Sequence, residues 1–160
     1  MVLVGQDNQT TELLALKLAA FVLFFKLNPS VDISSKNPAM AGQEFKPDLV
    51  ALDEGGQIQL WVECGNVTTH KLDKLIRRYR NARIVALKAR PREAENLRRA
   101  LAKNEISNSE RVEVRAFPSG QFEEWLKVLD DSVEIVGESS EHGFNLVANS
   151  IPFNFDFLVL

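Results

Sequence analysis

FKPDLVALDEGGQIQLWVECG, residues 45–65, is the stretch on which the fold turns. Two apolar runs, 47–53 and 57–64, flank Gly55-Gly56, and a double glycine between such runs signals a β-hairpin. With the glycines as the two central turn residues, Glu54 pairs with Gln57 and paired positions sum to 111. Asp48 then lies opposite Glu63, and Asp48, Val50, Leu52, Gln59, Trp61 and Glu63 share one face. Leu49, Ala51, Asp53, Ile58, Leu60 and Val62 share the other. A register with an even sum would part the two acids. Carboxylates about 5 Å apart at an effective dielectric near 20 repel by on the order of 3 kcal/mol, so such a pair shares a proton or holds a cation. Oxygen-only donors suit Mg²⁺ or Mn²⁺ completed by water. The simpler alternative is two acids at a sheet rim pointing into water.

Outward from the hairpin, residues 10–27 read as a buried helix, capped at Thr10 or Thr11 and ended by Asn28-Pro29. The Ser-, Asn- and Gly-rich segment 31–46 reads as a short strand and a loop. Thr68 or Thr69 caps a helix to about Asn81, with Leu72, Leu75, Ile76 and Tyr79 on one face. A strand over 83–89, a basic helix from Pro91 to Lys103, a strand over 111–117 and a helix over 121–131 follow. Residues 133–150 read as a second hairpin turning near 139–143, and 151–160 as an edge strand or a loosely held tail. This order predicts an α/β fold, a mixed central β-sheet flanked by helices.

The 160 residues suit a single domain with a real core. One cysteine, Cys64, excludes an internal disulfide and fits a reducing compartment. Lys17 and Lys26 interrupt the apolar stretch 13–27, which is short for a membrane span and lacks the features of a secretory leader. The expectation is a cytoplasmic protein with no membrane partner. The net charge of −3 is uneven: residues 70–103 carry twelve Lys/Arg against three Asp/Glu, the rest seven against nineteen. That block reads either as a surface for a polyanion or as solvated helices whose charges meet acidic neighbours within the fold.

The PD pair, fourteen intervening residues and then E-x-G resemble the PD-(D/E)XK nuclease superfamily. More narrowly, TELLALKLAAFVL, KPDLVALDEGGQIQLWVECG, HKLDKLIRRY and FEEWLKVLDDSVEI with its following NLVANS strand resemble the YaeQ family. The resemblance implies a restriction-endonuclease-like core of α-β-β-α-β type order. It implies that Asp48 and Glu63 hold Mg²⁺ or Mn²⁺, that Glu12 adds an acid from the first helix, and that Cys64 contributes its main-chain carbonyl. Gly65 stands where the superfamily has lysine; in the YaeQ pattern that lysine moves to the next helix, where Lys74 matches best and Lys71 second. YaeQ-like chains open with a β-hairpin, whereas this sequence opens MVLVGQDNQTTE, so a single domain over 1–160 without that hairpin is expected.

The implied activity is Mg²⁺-dependent hydrolysis of nucleic-acid phosphodiesters, with Lys74 or Lys71 assisting water and Arg77, Arg78 and Arg80 contacting phosphates. The alternatives are a non-catalytic nucleic-acid-binding module or an interaction domain whose basic block meets an acidic protein partner. Cys64 reads as a small buried residue, and His70, His142 and Asn66 as surface residues. Trp61 reads as a platform for a base or as a residue packed beneath a helix.

Overall fold

The computed structural model describes residues 9–160; the expectation that the chain opens without a β-hairpin falls on residues outside them. Helix α1 (Thr11–Leu23) starts at Thr10, whose hydroxyl accepts from the Leu13 amide at 3.2 Å. It is apolar almost all round because it is covered almost all round. The chain tightens into a 3-10 turn over Phe25–Leu27 and leaves through Asn28, at φ 50°, before Pro29. Helix α1 is therefore shorter than the expected 10–27.

Strand β1 (Ser30–Val31) pairs antiparallel with β2 (Leu49–Leu52), which forms the hairpin with β3 (Ile58–Cys64). Helix α2 (Thr69–Arg78), capped by the Thr68 hydroxyl, leads to β4 (Arg83–Lys88), parallel to β3. Helix α3 (Pro91–Lys103) opens with proline at a position that needs no donor and leads to β5 (Val112–Ala116), parallel to β4. Helix α4 (Gln121–Leu126) is shorter than the expected 121–131, because Lys127, Val128 and Leu129 close with bonds to the residue three back.

The segment read as a second hairpin gains a third strand. Strands β6 (Ile135–Ser139), β7 (Gly143–Ala148) and β8 (Ile151–Asp156) make a separate antiparallel sheet. Strand β9 (Leu158–Val159) returns to the edge of the central sheet beside β5. The central sheet runs β1-β2-β3-β4-β5-β9, a mixed sheet with α2 and α3 packed on one face. Helices α1 and α4 and the second sheet fill the other, around Leu60, Val62, Phe117, Trp125 and Phe153.

The hairpin corrects the expected turn and then recovers the expected register within the ladder. Asp53, not Glu54, pairs with Gln57: the Asp53 carbonyl accepts from Gly56, and its carboxylate accepts from the amides of Gly55 and Gln57, each at 2.9 Å. Gly56 takes φ 78°, the glycine bulge of a three-residue loop. The sum there is even. A register shift between Ala51 and Leu52 then restores the odd sum, so Leu49 pairs with Val62 and Val50 with Trp61. Two one-residue deviations cancel before the strand reaches its acidic end.

Candidate functional site

The acids converge where β3 and β4 present their carboxyl ends, the edge at which open α/β sheets place ligands. Glu63 stays on the face of Trp61, below α2. It is 3% exposed, and its Oε1 accepts from Trp61 Nε1 at 2.7 Å and meets Lys71 Nζ at 2.7 Å. Lys71 is placed by the first turn of α2, which the Thr68 cap starts. Asp48 lies in the bend just before β2 rather than in the ladder. Its Oδ2 accepts from the Cys64 amide at 2.7 Å, tying the two strand ends together, and its Oδ1 lies 3.5 Å from Lys17 Nζ of α1. Lys17 is 2% exposed and also holds Asp32 at 2.6 Å. The expected pairing of Asp48 with Glu63 across the ladder is not formed: the two acids lie at adjacent strand ends, Asp48 with its cation from the α1 layer and Glu63 with its cation from the α2 layer.

A third lysine completes the corner. Lys88 follows Ala86, the register partner of Glu63, by two residues on β4, so it occupies the Glu63 face one strand over. It is 6% exposed and its ammonium donates to the Gly65 carbonyl. Burial pushes its pKa down, opposed chiefly by the charge of Glu93 and less by Cys64 and Glu63. Gly65 has φ 72°, a conformation that a side chain rarely adopts, so a lysine at position 65 would strain the backbone. The ammonium arrives from the neighbouring strand instead.

The remaining expected site residues are spread around this corner. Lys74 is engaged by both oxygens of Glu44, at 2.8 and 3.0 Å, and not by Glu63. Glu12 pairs with Arg90 at 3.0 Å, in a network that also holds Glu93 and Glu123. Cys64 is buried, and burial pushes its thiol pKa well up. Arg77 pairs with Asp73 at 3.1 Å, Arg78 donates to the Gly42 carbonyl at 3.3 Å, and Arg80 makes no ion pair among the described residues. His70, His142 and Asn66 are exposed; Trp61 is wholly buried and stacks on Tyr79. Much of the basic block meets acids elsewhere in the fold, as Arg83 does Glu113 and Arg90 does Glu12 and Glu123.

Glu63 carries a stability cost with a definite pH sign. Burial pushes its carboxyl above the usual range, against the pull of Lys71 and Trp61, and the charge of Asp48 adds a smaller push upward. Between the unfolded value of about 4.3 and the higher folded one, the folded chain binds more protons. Stability therefore falls as pH rises through that window and stays lowered above it. In metal-free buffer at pH 7, Glu63→Gln is expected to melt above the parent, because it removes the charge that burial disfavours. The gap should close as the pH approaches 4. A gap that widens on acidification would reverse the assignment.

Among the described residues, no group of three or more His, Cys, Asp or Glu side chains could hold a metal ion. None of the described helices is long and apolar enough to cross a membrane. No curated protein matches the chain. In fold it is similar to the YaeQ protein from Xanthomonas axonopodis pv. citri, with TM-score 0.70 and 18% identity over 98% of this chain and 84% of that one. It is likewise similar to the YaeQ protein from Pseudomonas syringae, with TM-score 0.68 and 16% identity over 97% and 80%. The family model described as YaeQ protein matches residues 8–144. This chain belongs to the YaeQ family.

Proposed function

We propose that this protein hydrolyses nucleic-acid phosphodiester bonds with Mg²⁺ or Mn²⁺, on a restriction-endonuclease-like core of the PD-(D/E)XK type. The observation that carries the reading is the corner itself: Asp48 and Glu63 at the carboxyl end of β3, with Lys71 and Lys88 beside Glu63. The donors fit a hard divalent ion: two carboxylates and the Cys64 main-chain carbonyl, all oxygen, leaving further positions to water and phosphate. Entry of the ion requires Lys71 to leave Glu63, and its side chain is 20% exposed on a flexible stem.

The bound ion would polarise a phosphoryl oxygen and ease deprotonation of the attacking water. Glu63 is held rigid by the Trp61 indole, and Asp48 by the Cys64 amide, so both carboxylates are aimed before substrate arrives. Lys71 and Lys88 neutralise negative charge that grows on the phosphorus oxygens. Lys88 supplies the charge that Gly65 cannot carry. Arg77, Arg78 and Arg80, at the far end of α2 and just beyond it, contact flanking phosphates. Glu12 and Lys74 would join only by releasing Arg90 and Glu44.

The test is cleavage of single- and double-stranded DNA and RNA with each ion, beside Asp48→Ala. Native protein should cut on the order of 10²-fold faster or more, as loss of a preorganised charged group requires. Equal rates would assign the activity to contamination. Calorimetry with Mn²⁺ should show binding lost in both Asp48→Ala and Glu63→Ala.

A second reading rests on one observation: each of the two acids already faces a lysine without an ion, Asp48 facing Lys17 and Glu63 facing Lys71. A non-catalytic module on the same fold would retain nucleic acid through residues 71–99 in a salt-sensitive way, with no metal-dependent cleavage. Nucleic-acid affinity unchanged by charge reversal at Arg77 and Arg78 would favour an acidic protein partner instead.

A further inference from the structure

Beside the acidic corner, between α2 and the chain that leads into β2, lies a cavity of about 250 Å³. Trp61 and Leu75, both buried, line it, and the half-buried rings of Phe45 and Tyr79 line it as well. The Trp61 and Tyr79 rings stack with centroids 5.1 Å apart. Lys74 and Arg78 bring positive charge to the same cavity. One side chain separates it from Glu63, because the Trp61 indole that lines the cavity donates to that carboxylate. Lys71 makes a second link, 2.7 Å from Glu63 and 5.4 Å from the Phe45 ring centre.

The volume is below the about 300–1,000 Å³ of sites for drug-sized ligands, and suits one planar ring system. Aromatic faces alone would take any apolar ring, and cations alone any anion. Together they recognise a ring that carries a phosphate. We infer that this cavity is a binding pocket for one unpaired nucleotide, its base against Phe45 and Tyr79 and its phosphate on Arg78 and Lys74. The inference deepens the phosphodiester reading by naming the substrate class as unpaired rather than duplex nucleic acid, and rests on that reading only for the bond being cut.

Arg78 is the cation readiest for the phosphate: it makes no ion pair among the described residues, donating to the Gly42 carbonyl at 3.3 Å and lying 6.0 Å from the Tyr79 ring centre. Lys74 must first be shared with Glu44, whose carboxylate on the cavity wall opposes an anion. That opposition gives the pocket a signature of its own sign: Glu44→Gln should tighten nucleotide binding.

The test is calorimetric titration of the full chain in EDTA with adenosine 5′-monophosphate, ribose 5-phosphate, a short single strand and the same strand as duplex. The nucleotide should bind at least about tenfold more tightly than ribose 5-phosphate, the margin of one base–aromatic stack. Single strand should exceed duplex. Phe45→Leu, which keeps bulk and loses the ring, and Arg78→Ala, at an exposed position, should each weaken the nucleotide about five- to tenfold with unchanged circular dichroism. Ribose 5-phosphate binding as tightly as the nucleotide, duplex matching single strand, or both variants binding like the parent would each overturn the pocket. EDTA separates the two readings: cleavage can fail while the nucleotide binds, and metal-dependent cleavage without nucleotide binding removes the pocket alone.

Discussion

Lys17→Met is expected to destabilise the chain by about 3 kcal/mol, the cost of removing one partner of a buried ion pair while the other remains. Lys17 is 2% exposed, and its ammonium sits 2.6 Å from Asp32 and 3.5 Å from Asp48. Methionine keeps most of the stem's packing within α1, so the loss isolates the charge. Asp48 retains the Cys64 amide, and both acids keep about a quarter of their side-chain surface in water. That places the cost at the lower end of the about 3–5 kcal/mol range for such deletions. Urea denaturation of the single variant, beside Lys17→Met combined with Asp32→Asn and Asp48→Asn, separates the terms. The triple variant should recover most of the loss, because no carboxylate is left uncompensated. A single variant within about 0.5 kcal/mol of the parent would mean that water already satisfies both acids.

Lys17 also marks how far the sequence can be read. In TELLALKLAAFVL it looks like an interruption that argues against a membrane span, and so it is. A lysine inside a helix apolar on every side is also a signal, because a buried ammonium needs a carboxylate. Lys88 in RIVALK carries the same signal on a strand. What neither position reveals is the partner: Asp32 lies in a loop without periodicity, and Gly65 offers only its carbonyl.

Local rules served well where the chemistry is local. Thr10 and Thr68 cap, Pro91 starts α3, and Asn28-Pro29 stops the first helical segment. The turn was displaced by one residue because Asp53 competes for it, its carboxylate taking two amides that a turn centred on the glycines would have arranged otherwise. The β-bulge then restored the register that pairs Leu49 with Val62, and no residue pattern announces that bulge. Strand β8 escaped for a different reason. Its alternation is plain in IPFNFDF, but its place beside β7 rather than in the central sheet follows from the aromatic cluster it completes.

That cluster sets the second large effect: Trp125→Ala is expected to cost about 3–5 kcal/mol, or on the order of 10 °C in melting temperature for a domain of this size. Trp125 is fully buried, with ring centres 5.1 Å from Phe153, 5.2 Å from Phe144 and 6.3 Å from Phe117. It therefore joins α4 to the second sheet. Its Nε1 donates to the Ala15 carbonyl at 2.9 Å, which joins α4 to α1 as well. Trp125→Phe divides the two contributions, since it keeps a ring and loses the donor. The Ala15 carbonyl still holds its intrahelical bond, so the missing donor should cost only about 1 kcal/mol beyond the lost volume. The phenylalanine variant should thus fall clearly between parent and alanine in thermal melts. Equal losses for phenylalanine and alanine would instead place the dominant role in the hydrogen bond to α1, and make that contact, not the ring cluster, the link between the two layers.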